Sequence, residues 1–392
     1  MNNKWKYVPF CDAVEICDSQ RKPINSKERA ARTEGKTQSE LYPYYGATGQ
    51  VGYIDDYITD GEYVLLGEDG APFLNTFAKK AYIITGKAWV NNHAHVLRSK
   101  GSNKFLCYYL NHFNYKGYVS GTTRLKLTQA QMKSIPVPIP PIEEQNCIVA
   151  RIEELFSELD NGVETLRKTK QQLAVYRQAV LRDAFAGLDT FVSLQSISER
   201  IFDGPFGSNL KTSDYTSSGI RVVRLENLKD GWFDDSKQSF VTQEKYDAIS
   251  SHTVYPTDLI MSTFIADSIK VCQMPENIGF AVNKADCIGI RLKSNYVQRY
   301  VMYYLMTKNA YNSLVHEVHG ATRPRVNTKQ IKGIQIPMCD LSAQKQIVGN
   351  IESRLSVCDS IEKTVDATLQ QAEAMRQSIL KQAFEGGLHC ES

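Results

Sequence analysis

The chain has 392 residues, 42% hydrophobic and 23% charged, and a formal net charge of +3. That length allows two or three domains with cores of their own, and the composition is ordinary for a soluble globular protein. A charge so near zero excludes an overall polybasic mode of binding, so contact with a polyanion must come from local patches or from partners.

The start, Met-Asn-Asn-Lys-Trp-Lys, carries no hydrophobic signal region, and no apolar run approaches the ~18 residues of a membrane span. A cytoplasmic location without membrane contact is therefore expected. Nine scattered cysteines, none at Cys-x-x-Cys spacing, predict reduced and mostly buried thiols and no zinc site.

In chain order, residues 1–143 read as a mixed α/β domain of short strands. Tyr63-Val-Leu-Leu66, Ala81–Thr85 and Val96–Arg98 are the strand candidates, separated by Gly, Asp and Asn turns. A short helical stretch through Tyr108-Tyr-Leu110 follows. Residues 144–187 predict one long helix, since no proline interrupts Glu144–Ala186 and Ile152, Leu159, Leu166, Leu173 and Val180 recur every seven residues. Ile148, Leu155, Gly162, Thr169 and Tyr176 fill a second, weaker series.

Residues 188–341 predict a second α/β domain, with strands at Ile220–Arg224, Asp258–Met261 and Cys287–Arg291 and a helical Tyr303-Tyr-Leu305. Residues 342–387 predict a second long helix, with Ser342 as N-cap and Ile351, Cys358, Val365, Ala372 and Ile379 as its stripe. Two helices of about 43 residues would each run about 65 Å. Neither can bury its stripe alone, so an antiparallel coiled coil with pseudo-two-fold symmetry is the expected frame.

That symmetry is written in the sequence. Gly121–Gly187 aligns without a gap on Gly320–Gly386, 199 positions on, and about a third of the pairs are identical. Gly121/Gly320, Arg124/Arg323, Gln145/Gln344, Asp160/Asp359, Arg177/Arg376 and Phe185/Phe384 are among them. The segments before each copy are far less alike. A duplicated frame with two divergent inserts suits a molecule that reads two different things at a fixed separation.

Catalytic patterns fail. Gly35-Lys36-Thr37 lacks the upstream glycine of a phosphate loop, and Gly46-Ala-Thr-Gly49-Gln-Val-Gly52 is wrongly spaced for a dinucleotide site. No Asn/Asp-Pro-Pro-aromatic loop is present. His93-Ala-His95 and His316-Glu-Val-His319 lack an obvious third metal ligand. Side chains suited to nucleic-acid readout are plentiful by contrast. They are Arg21, Lys22, Tyr45, Asn92, His93, Arg124 and Lys126 in the first half, then Ser208, Asn209, Lys211, Arg224, Arg323 and Arg325 in the second. Arg221 and Asn227 lie in the same second set.

The duplicated order Gly-x-Thr-Arg…Ile-Pro-Val-Pro…Glu-Gln, then Gly-x-Thr-Arg…Ile-Gln-Ile-Pro…Gln, each followed by a long helix, resembles the DNA-specificity subunit of type I restriction–modification systems. Trp5–Asp18 and Val192–Gly207 resemble the family's openings, and Arg177–Phe185 and Arg376–Phe384 its helix ends. The resemblance implies two target-recognition domains, 1–143 and 188–341, reading a bipartite asymmetric sequence in double-stranded DNA. It implies that the spacer helices dock two modification subunits, which bind S-adenosylmethionine and methylate adenine N6. A restriction subunit using ATP and Mg would join them for cleavage. It implies no cofactor and no catalysis in this chain. The competing readings are a stand-alone DNA-binding scaffold, and a nuclease built on Asp258 and Glu226.

Overall fold

The computed structural model describes residues 5–315, 325–385 and 388. The chain divides into two compact units, Met1–Arg167 with Val365–Ser392, and Lys168–Thr364.

In the first unit the strand Tyr63–Gly67 is buried along its whole length. Successive side chains of a strand point to opposite faces, so it serves two cores at once. Val64 and Leu66 join the core shared with the helix Asn103–His112, while Tyr63 and Leu65 join Ile84, Val90 and Val96 on the other face. The antiparallel sheet runs Val14–Ile16, Ala94–Ser99, Tyr63–Gly67, Ala81–Ile84. A second sheet runs Gln50–Ile54, Tyr42–Tyr45, Trp89–Val90, and its last pair is parallel.

The second unit repeats this plan with other residues. Its antiparallel sheet runs Ser198–Asp203, Cys287–Leu292, Leu259–Ser262, Val271–Gln273. Leu259 and Met261 face one core, and Ile260 faces the other. In its second sheet Ile220–Val223 pairs parallel with Ala281–Asn283, as Tyr42–Tyr45 does with Trp89–Val90. An antiparallel edge pair ties the start of each α/β segment to its end: Tyr7–Val8 with Val137–Pro138, and Phe191–Ser193 with Gln335–Pro337. The two variable segments thus share a topology that their sequences hide.

Repeated residues repeat their jobs. Thr128 with Gln131, and Asn327 with Gln330, close equivalent capping boxes. Gln145, 6% exposed, accepts from the Ser102 amide at 3.0 Å and donates to the Pro140 carbonyl at 2.9 Å. Gln344, 2% exposed, accepts from the Val297 amide at 3.1 Å and donates to the Cys339 carbonyl at 2.9 Å. Each glutamine fastens the turn before a long helix to the start of its domain helix.

The long helices are Ile142–Ala184 and Leu341–Glu385. The second begins one residue before the predicted Ser342 cap, so Asp340 fills that role, its Oδ1 accepting from the Ala343 amide at 2.9 Å. The first ends before Gly187, whose φ of +78° suits glycine, whereas Gly386-Gly387 lies outside the described residues.

The helices pack together within each unit. In the first, Ile152 and Ile379 share the core with Phe384, Val365 and Ala372 are buried, and Leu159 and Leu166 are half-buried. In the second, Leu173, Val180, Ile351 and Cys358 are buried. The other heptad series opens to solvent at Gly162, Tyr176, Arg354, Ile361 and Met375. A two-stranded pair needs one seam, and the second series stays covered only where a domain meets it, as at Ile148. Asp160 pairs with Arg376 in the first unit, and Arg177 with Asp359 at 2.6 Å in the second. The 199-residue shift carries one pair onto the other, and both set the helices antiparallel. Such exposed pairs contribute only about 0–1 kcal/mol each, so they fix register more than stability.

Cys11, Cys17, Cys107, Cys272, Cys287, Cys339 and Cys358 are free thiols, whereas Cys147 is disulfide-bonded, a departure from the reduced state expected throughout. Among the described residues no helix is long and apolar enough to cross a membrane.

Replacing Ile152 or Ile351 by alanine should cost about 2–4 kcal/mol in urea unfolding, by loss of burial and cavity formation. The same change at exposed Met375 should stay within about 0.5 kcal/mol. Equal losses at all three positions would contradict the single seam.

Candidate nucleic-acid interface

In the first unit, the loops Gly46–Thr48, Gly70–Pro72, Asn91–His93 and Thr123–Leu125 line a cleft of about 750 Å³. Two of these four hold residues predicted for readout, and Tyr45 immediately precedes a third. The parallel strand pair brings them together, because Tyr42–Tyr45 and Trp89–Val90 end side by side and the Asn91 amide donates to the Tyr45 carbonyl at 3.1 Å. Asn91 Oδ1 accepts from the His93 amide at 2.8 Å, which closes the turn and leaves Asn92 exposed at its tip. Gly121 has φ of +94°, and a Cβ there would lie 2.4 Å from the Arg124 carbonyl oxygen, so the turn presenting Arg124 requires glycine.

Arg124 and Lys126 are exposed and held by acids, Arg124 by Asp69 and Lys126 by Glu68 at 3.3 Å. His93 is half-buried, 3.3 Å from Asp69. The Tyr45 and Tyr82 rings meet tilted, their centroids 5.9 Å apart, and Tyr82 donates to the Gly46 carbonyl at 2.5 Å. Burial, with Tyr53 nearby, pushes the Tyr45 phenol up. Lys22 is exposed, 5.9 Å from the Trp89 ring.

Arg21 differs from these. It pairs with Glu68 and with Asp18 at 3.2 Å, and donates to the Ala94 carbonyl at 3.1 Å, so its guanidinium is committed inside the fold. His95 has no exposed surface, and its ring nitrogens lie 2.8 Å from Asp18 and 3.0 Å from the Leu127 carbonyl. Burial raises the Asp18 carboxyl, but hydrogen bonds from His95, Val96 and Gln129 outweigh it and hold the group below the usual range. Among the described residues no group of three His, Cys, Asp or Glu forms a metal site.

Arg29 is a further candidate, absent from the residues predicted for readout. It lies on the helix Ser26–Thr33 and lines a neighbouring cleft of about 300 Å³ with Tyr44, Asn92 and His93, its guanidinium 4.6 Å from the Tyr44 ring. That helix buries no residue, and an exposed helix bearing Lys27, Arg29 and Arg32 was the available signal.

In the second unit the corresponding turn is Lys284–Asp286. A Cβ on Gly204 would lie 2.1 Å from the Lys284 carbonyl carbon, so glycine lets the Gly204–Lys211 loop cross this turn. The loop continues through the 3-10 turn Gly207–Asn209, which contains Ser208, and leaves Asn209 and Lys211 exposed. Arg224 and Lys284 stand 5.4 and 5.7 Å from the Tyr215 ring. Arg325 pairs with Asp286 at 3.0 Å and lies 5.2 Å from the Phe264 ring. Lys126 and Arg325, 199 positions apart, bridge equivalent strand ends at Asp69 and Phe264. Arg323, His316 and His319 lie outside the described residues.

Arg221 and Asn227, by contrast, are buried struts, Arg221 bonded to Asp235 at 2.6 Å and Asn227 to the carbonyls of Asp234 and Lys237. Asp258 is 4% exposed and locked to Arg291 at 2.6 and 3.0 Å, and Glu226 pairs with Arg224 at 3.3 Å. Those contacts give both acids structural roles.

A family model described as the type I restriction modification DNA specificity domain matches residues 2–173 and 212–371. The chain belongs to that family. It is therefore a specificity subunit for DNA target recognition, a non-catalytic one. It is 26% identical over 380 residues to the putative type I restriction enzyme specificity subunit S.HindORF215P of Haemophilus influenzae, covering 94% of this chain and 92% of that one. Its fold is similar to the HsdS subunit from Thermoanaerobacter tengcongensis, with TM-score 0.53, 16% identity, and 99% and 98% of the two chains covered. It is also similar to a chain from a structural study of complex assembly and conformational transition of the type I R-M system. There the TM-score is 0.70, with 15% identity and 99% of each chain covered.

Because the folded-state carboxyl of Asp18 is lowered, its stabilisation is present above the ordinary aspartate range near pH 4 and is lost as pH falls through the folded value. Asp18→Asn should therefore lower the melting temperature at neutral pH, and the gap to wild type should close on acidification. A gap independent of pH would contradict this account.

Proposed function

We propose that this specificity subunit reads a bipartite, asymmetric DNA sequence, one half with each α/β domain, and docks two modification subunits that methylate adenine N6. One observation carries the reading: the same turn on the same topology bears different side chains in the two units, Asn91-Asn-His93 in one and Lys284-Ala-Asp286 in the other. Identical frames with unlike contact surfaces are suited to unlike half-sites. Residues 1–143 and 188–341 are the readers, and 144–187 and 342–387 the spacer.

In the first reader Asn92, His93 and Tyr45 face base edges, and Lys22, Arg29, Arg124 and Lys126 meet phosphates. In the second, Ser208, Asn209 and Arg224 take the first role, and Lys211, Lys284, Arg323 and Arg325 the second. Arg21 positions Glu68 beneath Lys126. S-adenosylmethionine belongs to the modification subunits, which flip the target adenine from the stack, and ATP with Mg belongs to a restriction subunit. With a net charge of +3, the isolated subunit binds DNA weakly, and its partners close around the duplex to supply most of the affinity. The complex works in the cytoplasm.

Long-read mapping of N6-methyladenine, in cells expressing this chain with its neighbouring modification gene, should return a split motif with methylated adenines in both halves. A folded partner that binds S-adenosylmethionine yet yields no split motif would favour the scaffold reading instead.

The spacer makes a second prediction. Two half-sites on one face of the duplex lie about one helical turn apart, ~10 bp centre to centre. Four residues inserted into both long helices add about 6 Å, so the gap in the mapped motif should widen by about two base pairs. An unchanged gap would contradict the ruler.

A further inference from the structure

The loop that leaves the central strand Tyr63–Gly67 ends in an apolar tip. Leu74 and Phe77 are each 55% exposed. Leaving such side chains in water forgoes about 1.5–3 kcal/mol apiece, and a slack loop would fold them under. This loop is braced against doing so. Ala71 and Phe73, 3% and 2% exposed, anchor its first arm in the core. The Asn75 amide donates to the Pro72 carbonyl at 3.1 Å, the Ala78 amide to the Asn75 carbonyl at 3.2 Å, and the Phe77 amide to Asn75 Oδ1 at 3.0 Å. Beneath the tip, Lys80 is 2% exposed and its ammonium donates to the Thr76 carbonyl at 3.2 Å. Asn111 holds the second arm by accepting from the Lys80 and Ala81 amides.

The duplicated frame supplies an internal comparison. The equivalent loop of the second unit, Thr263–Lys270, has the same start and end on its sheet, but its Ile265 and Ile269 are 0% and 1% exposed. The common fold therefore does not require an exposed apolar tip at this place. The tip is a property of the first unit alone.

Its neighbours say what it meets. Gly70, Ala71 and Pro72, the root of the loop, line the candidate DNA cleft together with Arg124, and the exposed Lys79 stands beside the tip. An apolar pair flanked by cations and continuous with a groove for a polyanion fits a stacked base step, where side chains such as Leu and Phe act as wedges. We infer that Leu74 and Phe77 insert at a base step of the half-site read by the first unit, unstacking it, while the second unit leaves its half-site stacked. The inference rests on the proposed DNA reading and adds to it a one-sided deformation of the target.

The test uses the complex with its modification subunits and duplexes carrying the mapped motif, with 2-aminopurine at successive positions through and beside each half-site. Fluorescence should rise severalfold at a step of the first half-site distinct from the methylated adenine, and at no comparable step of the second. Leu74→Ala with Phe77→Ala should return that signal to the level of free duplex, whereas the signal at the methylated position should persist. Phe77→Leu, which keeps an apolar tip, should retain the unstacking. The wedge is overturned if wild type gives no such step, or if the double variant leaves it unchanged. It is also overturned if the double variant fails to assemble with modification subunits in the absence of DNA, since the tip would then be a protein contact. Absence of any split motif would instead remove the DNA reading itself.

Discussion

Everything in this chain depends on where two long amphipathic helices put their apolar stripes. Alone, each would expose a row of Ile, Leu and Val to water, and neither has a membrane-like run that would place it elsewhere. Packed antiparallel, Ile152 and Ile379 disappear into one core, and Ile351 and Val180 are buried in the other unit. The same packing brings the far end of each helix to the domain that the other helix leaves. Phe384 sits among Phe105, Tyr109 and His112, and Phe185 sits against Tyr300 and Tyr304. Hydrophobic burial at the seam is thus inseparable from the completion of the two domains.

Above that frame the chemistry separates cleanly into parts that hold and parts that present. Capping boxes, Gln145, Gln344 and the Asp160 and Asp359 pairs recur at the 199-residue interval because the frame is the same twice. Charged residues that look alike in sequence divide along this line. Arg21 and Arg221 are spent on internal carboxylates and carbonyls, whereas Arg124, Lys126 and Lys211 stand at the surface. Glu68 lies beneath Lys126 and Arg21 and pairs with both, while Lys126 itself stays exposed.

The frame was legible from sequence because it obeys short-range rules. Heptad spacing located the buried stripe, and an ungapped repeat located its partner. Strand candidates at Tyr63, Ala81, Ile220 and Cys287 fell on strands because apolar runs between turn residues have few other fates. The shared topology of the two domains was not legible. It rests on which strands pair, including the parallel pairs ending at Tyr45 and Val223, and those pairings join residues far apart in the chain. The same limit hid the fates of individual side chains. Nothing local distinguishes a committed Arg21 from an available Arg29, since the difference lies in Glu68 and Asp18. Ser342 and Asp340 are both good caps, and only the exact start of the helix chooses between them.

In the proposed function two independent readers sit on one repeated frame. Exchange of residues 1–143 for the matching domain of a relative with a different specificity tests it directly, with the methylated motif mapped before and after. The account predicts that one half of the motif changes while the other half, and the gap between them, stay as they were. A chimera that folds and methylates but alters both halves, or neither, would contradict it.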